Sequence, residues 1–197
     1  MKLITVTSYK GGVSKSTTSI HLATFLSEHG KVLIVDCDKN RTAIAWAERG
    51  NLPFDVLAER AAYKVLSDYD FALIDTPANP DSNDLKELAD SSDLLILPTL
   101  PDVVSLDPML QTAENLQGTN YRALIAIVPP LPNMDGRKLQ AELKAASFPV
   151  FEAMIRRSIG FSKAALAGKP VRDLTGGDRA AWKDYEKLGA EVLELLR

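Results

Sequence analysis

Two lysines five residues apart, a glycine pair between them and a Ser-Thr-Thr run behind the second make up SYKGGVSKSTT, residues 8–18, directly after the apolar run MKLITV. These residue types in this order suit an anion site. Gly11 and Gly12 let backbone N–H groups turn toward a phosphate, and the amino end of a following helix adds positive potential. Lys15 can reach β- and γ-phosphates, and the Ser16 hydroxyl is placed to ligate Mg²⁺. Val13, Ser14 and Thr17 complete the candidate nucleotide-binding segment. The ordinary G-x-x-x-x-G-K-[ST] pattern is not met, because Tyr9 and Ser14 stand at its two glycine positions. Serine is small, so the loop is expected to survive if position 14 keeps a negative φ.

Two further groups follow apolar runs. After KVLIVD stand Cys37 and Asp38, so Asp36 and Asp38 flank one cysteine where a strand would end. Such carboxylates orient water or the outer ligands of a metal, whereas an isolated pair of this kind more often caps a helix or forms a turn. Cys37 reads as a small buried hydrophobe. After FALID comes DTP, residues 75–77, and an apolar run ending in Asp is a Walker B pattern whose carboxylate stands beside Mg²⁺, usually through water. Asp75 therefore joins Ser16 as a candidate metal residue, with Asp36 a possible outer neighbour.

The elements that position these groups are legible as short aliphatic runs: LITVT, KVLIVD, FALID, DLLILP and RALIAIVP. Runs of four to eight such residues between turn residues are strands buried on both faces. Between them lie stretches of helical spacing, including Ile20, Leu22, Ala23 and Leu26, and later Leu106, Met109, Leu110, Ala113 and Leu116. Alternating strands and helices imply a doubly wound, mostly parallel α/β sheet with helices on both faces, and ligands bind beyond the carboxyl ends of its strands. A helix from about Thr17 is expected. At 197 residues, with no repeat or linker, the chain reads as one domain over 1–197. A single cysteine suits a reducing compartment, and no run of 18 apolar residues or leader pattern is visible, so a cytoplasmic location is expected. The net charge of -3 does not suggest a nucleic-acid binder, but an average can hide a local patch.

Together, KGGVSKS, DCD and FALIDTP resemble the ParA/MinD group of deviant Walker ATPases, a P-loop NTPase family. The stretch AALAGKPVRDL, residues 164–174, and the final DYEKLGAEVLELL look like the tail of its ParA-type partition members. The resemblance implies ATP and Mg²⁺ as cofactors and a homodimer formed with ATP. It implies that Lys10 reaches across the dimer to the partner's phosphates, so that Lys10, Lys15 and Asp38 carry the catalysis, Asp38 by orienting the attacking water. The family's first switch usually reads D-x-D-P-Q, where this chain has DCDKN. Many members place an asparagine that reads adenine after the strand corresponding to RALIAIV; here Pro129, Pro130 and Pro132 follow, and Pro130 is expected to line the base pocket.

The function so implied is an ATPase that binds DNA without sequence preference, positions a plasmid or a protein compartment such as a carboxysome, and is stimulated by a cargo adaptor protein. Such a protein would be nucleoid-associated. Residues 155–172 hold Arg156, Arg157, Lys163, Lys169 and Arg172 and no acidic residue, and they are the expected DNA surface, with Arg179 and Lys183 as weaker candidates. Two alternatives are a MinD-like membrane-cycling ATPase and a small-molecule synthetase using the same loop. The first needs a basic amphipathic tail, whereas DYEKLGAEVLELLR is acidic.

Overall fold

Alternation within the aliphatic runs sorts the core into two layers. The computed structural model describes residues 1–78, 80–102, 116 and 118–197. Its strands are β1 (Lys2–Ser8), β2 (Val32–Asp36), β3 (Asp55–Ala58), β4 (Phe71–Ala78), β5 (Leu94–Thr99) and β6 (Tyr121–Ile125). They form one parallel sheet in the order β3-β2-β4-β1-β5-β6. On β5, Leu94 and Ile96 face one layer while Leu95 and Leu97 face the other, and on β6 Leu124 opposes Ala123 and Ile125 in the same way. The central strands thus bury both of their faces, which is why their runs are unbroken in sequence.

The helices are α1 (Lys15–Leu26), α2 (Thr42–Glu48), α3 (Glu59–Ala62), α4 (Ser82–Ser91), α5 (Asp135–Ala145), α6 (Ile159–Leu166) and α7 (Trp182–Leu195). One face of the sheet packs on α1, α2, α6 and α7 through residues such as Ile20, Trp46, Ala164 and Leu188. The other packs on α4 and α5 through Leu85, Ala89, Leu139 and Leu143. The parallel sheet, the two helix layers and the helix after β1 agree with the expectation from sequence. Three details differ. Helix α1 begins at Lys15, two residues earlier than expected. The edge strand β3 has no counterpart among the aliphatic runs, because none of its four residues is buried and its apolar stretch, Val56 to Ala58, is only three residues long. The run RALIAIVP stays regular only to Ile125, since Ile127 has φ 58 and interrupts it. Of the helical stretch Leu106–Leu116, only Leu116 is among the described residues, and it is buried.

Beyond β6 the sheet edge is completed irregularly. Phe151 N–H donates to Ala123 O at 3.0 Å, Ile155 N–H to Ile125 O at 2.9 Å, and Val128 N–H to Ile155 O at 3.0 Å. Where no strand remains to accept, the Glu191 carboxylate on α7 does so, taking Glu152 N–H at 2.8 Å and Ala153 N–H at 2.6 Å. Helix α7 turns Tyr185, Leu188 and Val192 inward and packs across α1. At their crossing, Gly189 lies directly against the Phe25 ring, leaving no space for a side chain.

A Gly189→Ala variant must displace that ring or part the two helices. Overpacking of this kind costs about 1–3 kcal/mol. Denaturant unfolding should show that loss with an unchanged m-value, and an unaltered midpoint would disprove the close approach.

Candidate nucleotide site

Sheet order places β4 and β1 side by side at the centre, with β2 and β5 outside them, so the segments leaving these strands share one edge. Those after β1 and β2, with the end of β4, line a cleft of about 1470 Å³. Drug-sized pockets run to roughly 1,000 Å³, so an elongated phosphorylated ligand fits along this one. Gly11, Gly12, Ser14, Lys15, Ser16 and Thr17 form its floor, Asp38 enters after β2, and Thr76 and Pro77 enter from the last residues of β4. The far wall comes from Ile127 and from residues 155–159 with Phe161.

The loop between β1 and α1 is built from residues of alternating hand. Gly12 has φ 75 and Ser14 φ 81, while Val13 and Lys15 keep negative φ. Alternation of this kind gathers successive backbone N–H groups around one concavity, which is an anion nest. Ser14 is thus left-handed, contrary to the negative φ that sequence favours for serine. The chain pays about 1–2 kcal/mol for a Cβ in a glycine conformation. Val13 turns its side chain into the interior and Lys15 is nearly buried, so the lysine is presented by a fixed stem. Lys10 is exposed and does not line the cleft.

Asp75 lies fully buried behind the loop. Ser19 Oγ donates to its Oδ1 at 3.2 Å, and Ser16 also hydrogen-bonds to it. Its Oδ2 has no partner among the described residues. Burial raises its pKa from 3.8 to about 6; the serines and Lys15 work against that shift, and the neighbouring Asp36 adds to it. A hydroxyl in the cleft, with a part-satisfied carboxylate behind it whose charge is disfavoured, fits a hydrated divalent cation. Ser16 would hold the cation directly and Asp75 would support it from behind. Asp36 is otherwise occupied: Asp38 N–H donates to its Oδ1 at 3.1 Å and Ile44 N–H to its Oδ2 at 3.0 Å. It ties the loop after β2 to α2, as the bland reading of an acidic pair has it. Asp38 lines the cleft, and its Oδ1 accepts the Asn40 N–H at 2.9 Å. Burial pushes the Cys37 thiol up to about 12, which makes it inert at neutral pH.

The structure divides the basic segment. Arg156 lines the cleft and is gripped by Asp184 of α7, with Nε to Oδ2 and NH2 to Oδ1 both at 2.7 Å and its own N–H to Oδ2 at 3.0 Å. Lys163 pairs with Asp178 at 2.7 Å, and Arg172 pairs with Glu28 at 2.7 Å and Asp173 at 3.2 Å. Arg157 and Lys169, exposed like Arg179 and Lys183, have no carboxylate within 4 Å among the described residues. The five cations are therefore not one unopposed patch. Pro130 does not line the cleft, whereas Ile127 does, although a β-branched residue rarely adopts its φ of 58. Ile127, Ser19 and Asp184 carried no local signal in sequence, since only the fold brings them to the site.

Comparisons with known proteins agree with this geometry. Residues 4–171 match the family described as the CobQ/CobB/MinD/ParA nucleotide binding domain. The maintenance of carboxysome distribution protein A of Gloeobacter kilaueensis is 32% identical over 202 residues, covering 97% of this chain and 94% of that protein. An aspartate-to-alanine variant of McdA from Cyanothece in complex with ATP has a similar fold, with TM-score 0.74, 17% identity, and coverage of 100% of this chain and 96% of that one. So has the MinD cell division protein of Aquifex aeolicus, with TM-score 0.73, 18% identity, and coverage of 98% and 97%.

The raised pKa of Asp75 gives a testable sign. The fold binds its proton more tightly than the unfolded chain does, so this carboxyl lowers stability as pH rises from about 4 to about 6, and the penalty persists above. Two pKa units correspond to about 3 kcal/mol. Without ligand, Asp75→Asn should therefore be more stable than the parent above pH 6, by up to about that amount, and no more stable near pH 4. Urea unfolding across this range decides it. A variant less stable at pH 7 would show that the carboxylate is satisfied.

Proposed function

The chain belongs to the CobQ/CobB/MinD/ParA nucleotide-binding domain family, and from that premise we propose that residues 1–197 act as one ATP-dependent, dimerising ATPase that positions an intracellular cargo. The observation that carries this reading is the loop with two lysines in different settings. Lys15 is held in the cleft on a buried stem, while Lys10 is exposed outside it. A cleft lysine neutralises phosphates bound in cis. An exterior one suits phosphates on a second copy of the chain, and it favours the triphosphate over the diphosphate, which lacks the charge to be neutralised.

ATP lies along the cleft with its phosphates in the nest. Ser16, with Asp75 behind it, would hold Mg²⁺, which would supply charge neutralisation at the phosphates. Asp38 orients the attacking water from the loop after β2. The backbone of Gly11 to Lys15 fixes the phosphates with no reorganisation needed during the reaction. Hydrolysis without a partner is expected to be slow, since no arginine stands in the loop or the acidic motifs. A cargo adaptor then supplies the stimulation.

The carboxysome is the cargo best supported, because the relative from Gloeobacter kilaueensis is named for its distribution and is 32% identical over 97% of this chain. Plasmid partition is the second reading, resting on the ParA-like motifs. A membrane-cycling role has less support, since α7 spends its apolar face on the core. No helix among the described residues is long and apolar enough to cross a membrane.

Lys15→Ala should abolish ATP binding, whereas Lys10→Ala should bind ATP as a monomer and fail to dimerise. Calorimetry and sizing with ATP and Mg²⁺ check both, and a Lys10→Ala protein that still dimerises removes the cross-subunit role.

Double-stranded DNA of any sequence is the proposed track, bound by the ATP dimer through Arg157 and Lys169, with Arg179 and Lys183 in support. Reversing the charge of both main residues should weaken binding at least about tenfold and flatten the log–log salt slope by about 1 per lost phosphate contact. Reversing Arg156, Lys163 or Arg172 should instead act mainly on the fold, through Asp184, Asp178 and Glu28. DNA binding that ignores Arg157 and Lys169, or that never depends on ATP, overturns this surface.

A further inference from the structure

The far wall of the cleft carries a cation whose setting differs from that of Lys15. The Arg156 side chain is 50% exposed, whereas that of Asp184, which grips it, is 7% exposed. Nε and NH2 both meet Asp184, so NH1 and the two faces of the guanidinium lie outside the pair. The backbone beneath is held as well. Arg156 N–H donates to Asp184 Oδ2 at 3.0 Å, Val128 N–H to Ile155 O at 3.0 Å, and Arg157 N–H to Val128 O at 2.8 Å. A long side chain that is ordinarily mobile is therefore presented in one plane.

Two observations separate this group from the phosphate end of the cleft. Arg156 bridges to Val128 beyond β6, three strand spacings from β1, whose end carries the nest. At the spacing of a sheet, the backbone at Arg156 lies about 14 Å across from β1. A nucleotide with its phosphates in the nest brings its sugar and base to that wall. Charge points the same way. The Asp184 carboxylate offsets the guanidinium, so the pair offers little net attraction for an anion. Arg157 has no carboxylate within 4 Å among the described residues and is the better suited of the two to a phosphate. What Arg156 keeps is a flat face and spare N–H donors, which match the π-face and ring nitrogens of a neutral heterocycle. Ile127, Ile155 and Ile159 add apolar surface beside it.

We infer that Arg156 receives the nucleoside end of the ligand, its guanidinium stacking on the base, with Asp184 as the positioning residue that sets the plane. Arg156 thus takes the place expected for Pro130, which does not line the cleft. A guanidinium already fixed loses little freedom when the base arrives, so more of the contact shows as affinity. This inference rests on the nucleotide reading of the cleft.

Calorimetry with Mg²⁺ tests it, using ATP and inorganic tripolyphosphate, which has the phosphates and no nucleoside. The parent should bind ATP more tightly than tripolyphosphate. Arg156→Lys keeps a cation for Asp184 but has no plane to stack. Its ATP affinity should fall about tenfold, and its tripolyphosphate affinity should change by less than about twofold. If urea unfolding shows that variant to be unstable, Arg156→Met combined with Asp184→Asn leaves no unpaired charge, and the amide oxygen can still accept the backbone N–H at 156. The same selective loss is expected. Equal losses for the two ligands, or none for either, overturn the role of Arg156 at the base while the phosphate nest stands. A parent that binds tripolyphosphate as tightly as ATP has the same consequence. A parent that binds neither overturns the nucleotide reading and this inference together.

Discussion

Burial of α1 on nearly every side is the constraint from which the site follows. Thr18, Ser19, Ile20, His21, Leu22, Ala23, Thr24 and Leu26 are all buried, so the helix lies between sheet and α7 with little circumference left for water. Its polar members must then find partners inside the protein. Ser19 Oγ donates to Lys15 O and Asp75, Thr24 Oγ1 donates to Ile20 O, and His21 bridges Thr17 O to the Val171 amide. The bonds to Asp75 and to the Val171 amide leave the helix and fix the position of α1, whose amino end carries the phosphate nest. A loop so anchored from behind presents its amides without further ordering, the condition under which fixed dipoles are most effective on a phosphate.

Burial also sets the electrostatics. Asp75 sits where its charge is disfavoured, and the Lys15 and serine contacts compensate only in part. Such a carboxylate is poised for a cation, since a divalent ion nearby would favour the charged form that the empty interior resists. His21 shows the opposite outcome of the same cause: burial holds its pKa down to about 4, against the opposing pull of the Thr17 carbonyl, and it stays neutral. A neutral imidazole with one donating and one accepting nitrogen serves as a connector between α1 and the segment at Val171. The bonds at both nitrogens are consistent with that single tautomer.

Helix α7 works as a brace whose carboxylates stand where the sheet runs out of strands. Glu191 takes the amides of Glu152 and Ala153, and Asp184 takes the Arg156 amide and guanidinium. The segment forming the far wall of the cleft is thereby fixed by these side chains together with its backbone bonds to Ile125 and Val128. The same bonds change the meaning of the basic run: cations that look like one surface in sequence are partly spent on the protein's own acids.

The sequence by itself determined the parallel sheet, its two helix layers and the phosphate loop. Strands buried on both faces must read as unbroken aliphatic runs, and a nest before a buried helix needs glycines, a lysine and hydroxyls in consecutive positions. It also placed Asp75 and Asp38 at strand ends, because the chemistry of such sheets gathers there. Strand β3 escaped because a short, half-covered edge strand has no apolar run to announce it. Only the tertiary structure decided that Ser14 is left-handed, that Asp36 is used up on backbone amides and that Arg156 faces the cleft. It alone brought Asp184 to Arg156 on the wall of the site. The physical reason is one of range: periodicity and loop composition are local, whereas a hydroxyl's partner or a cation's counter-charge depends on which distant element the fold packs against it.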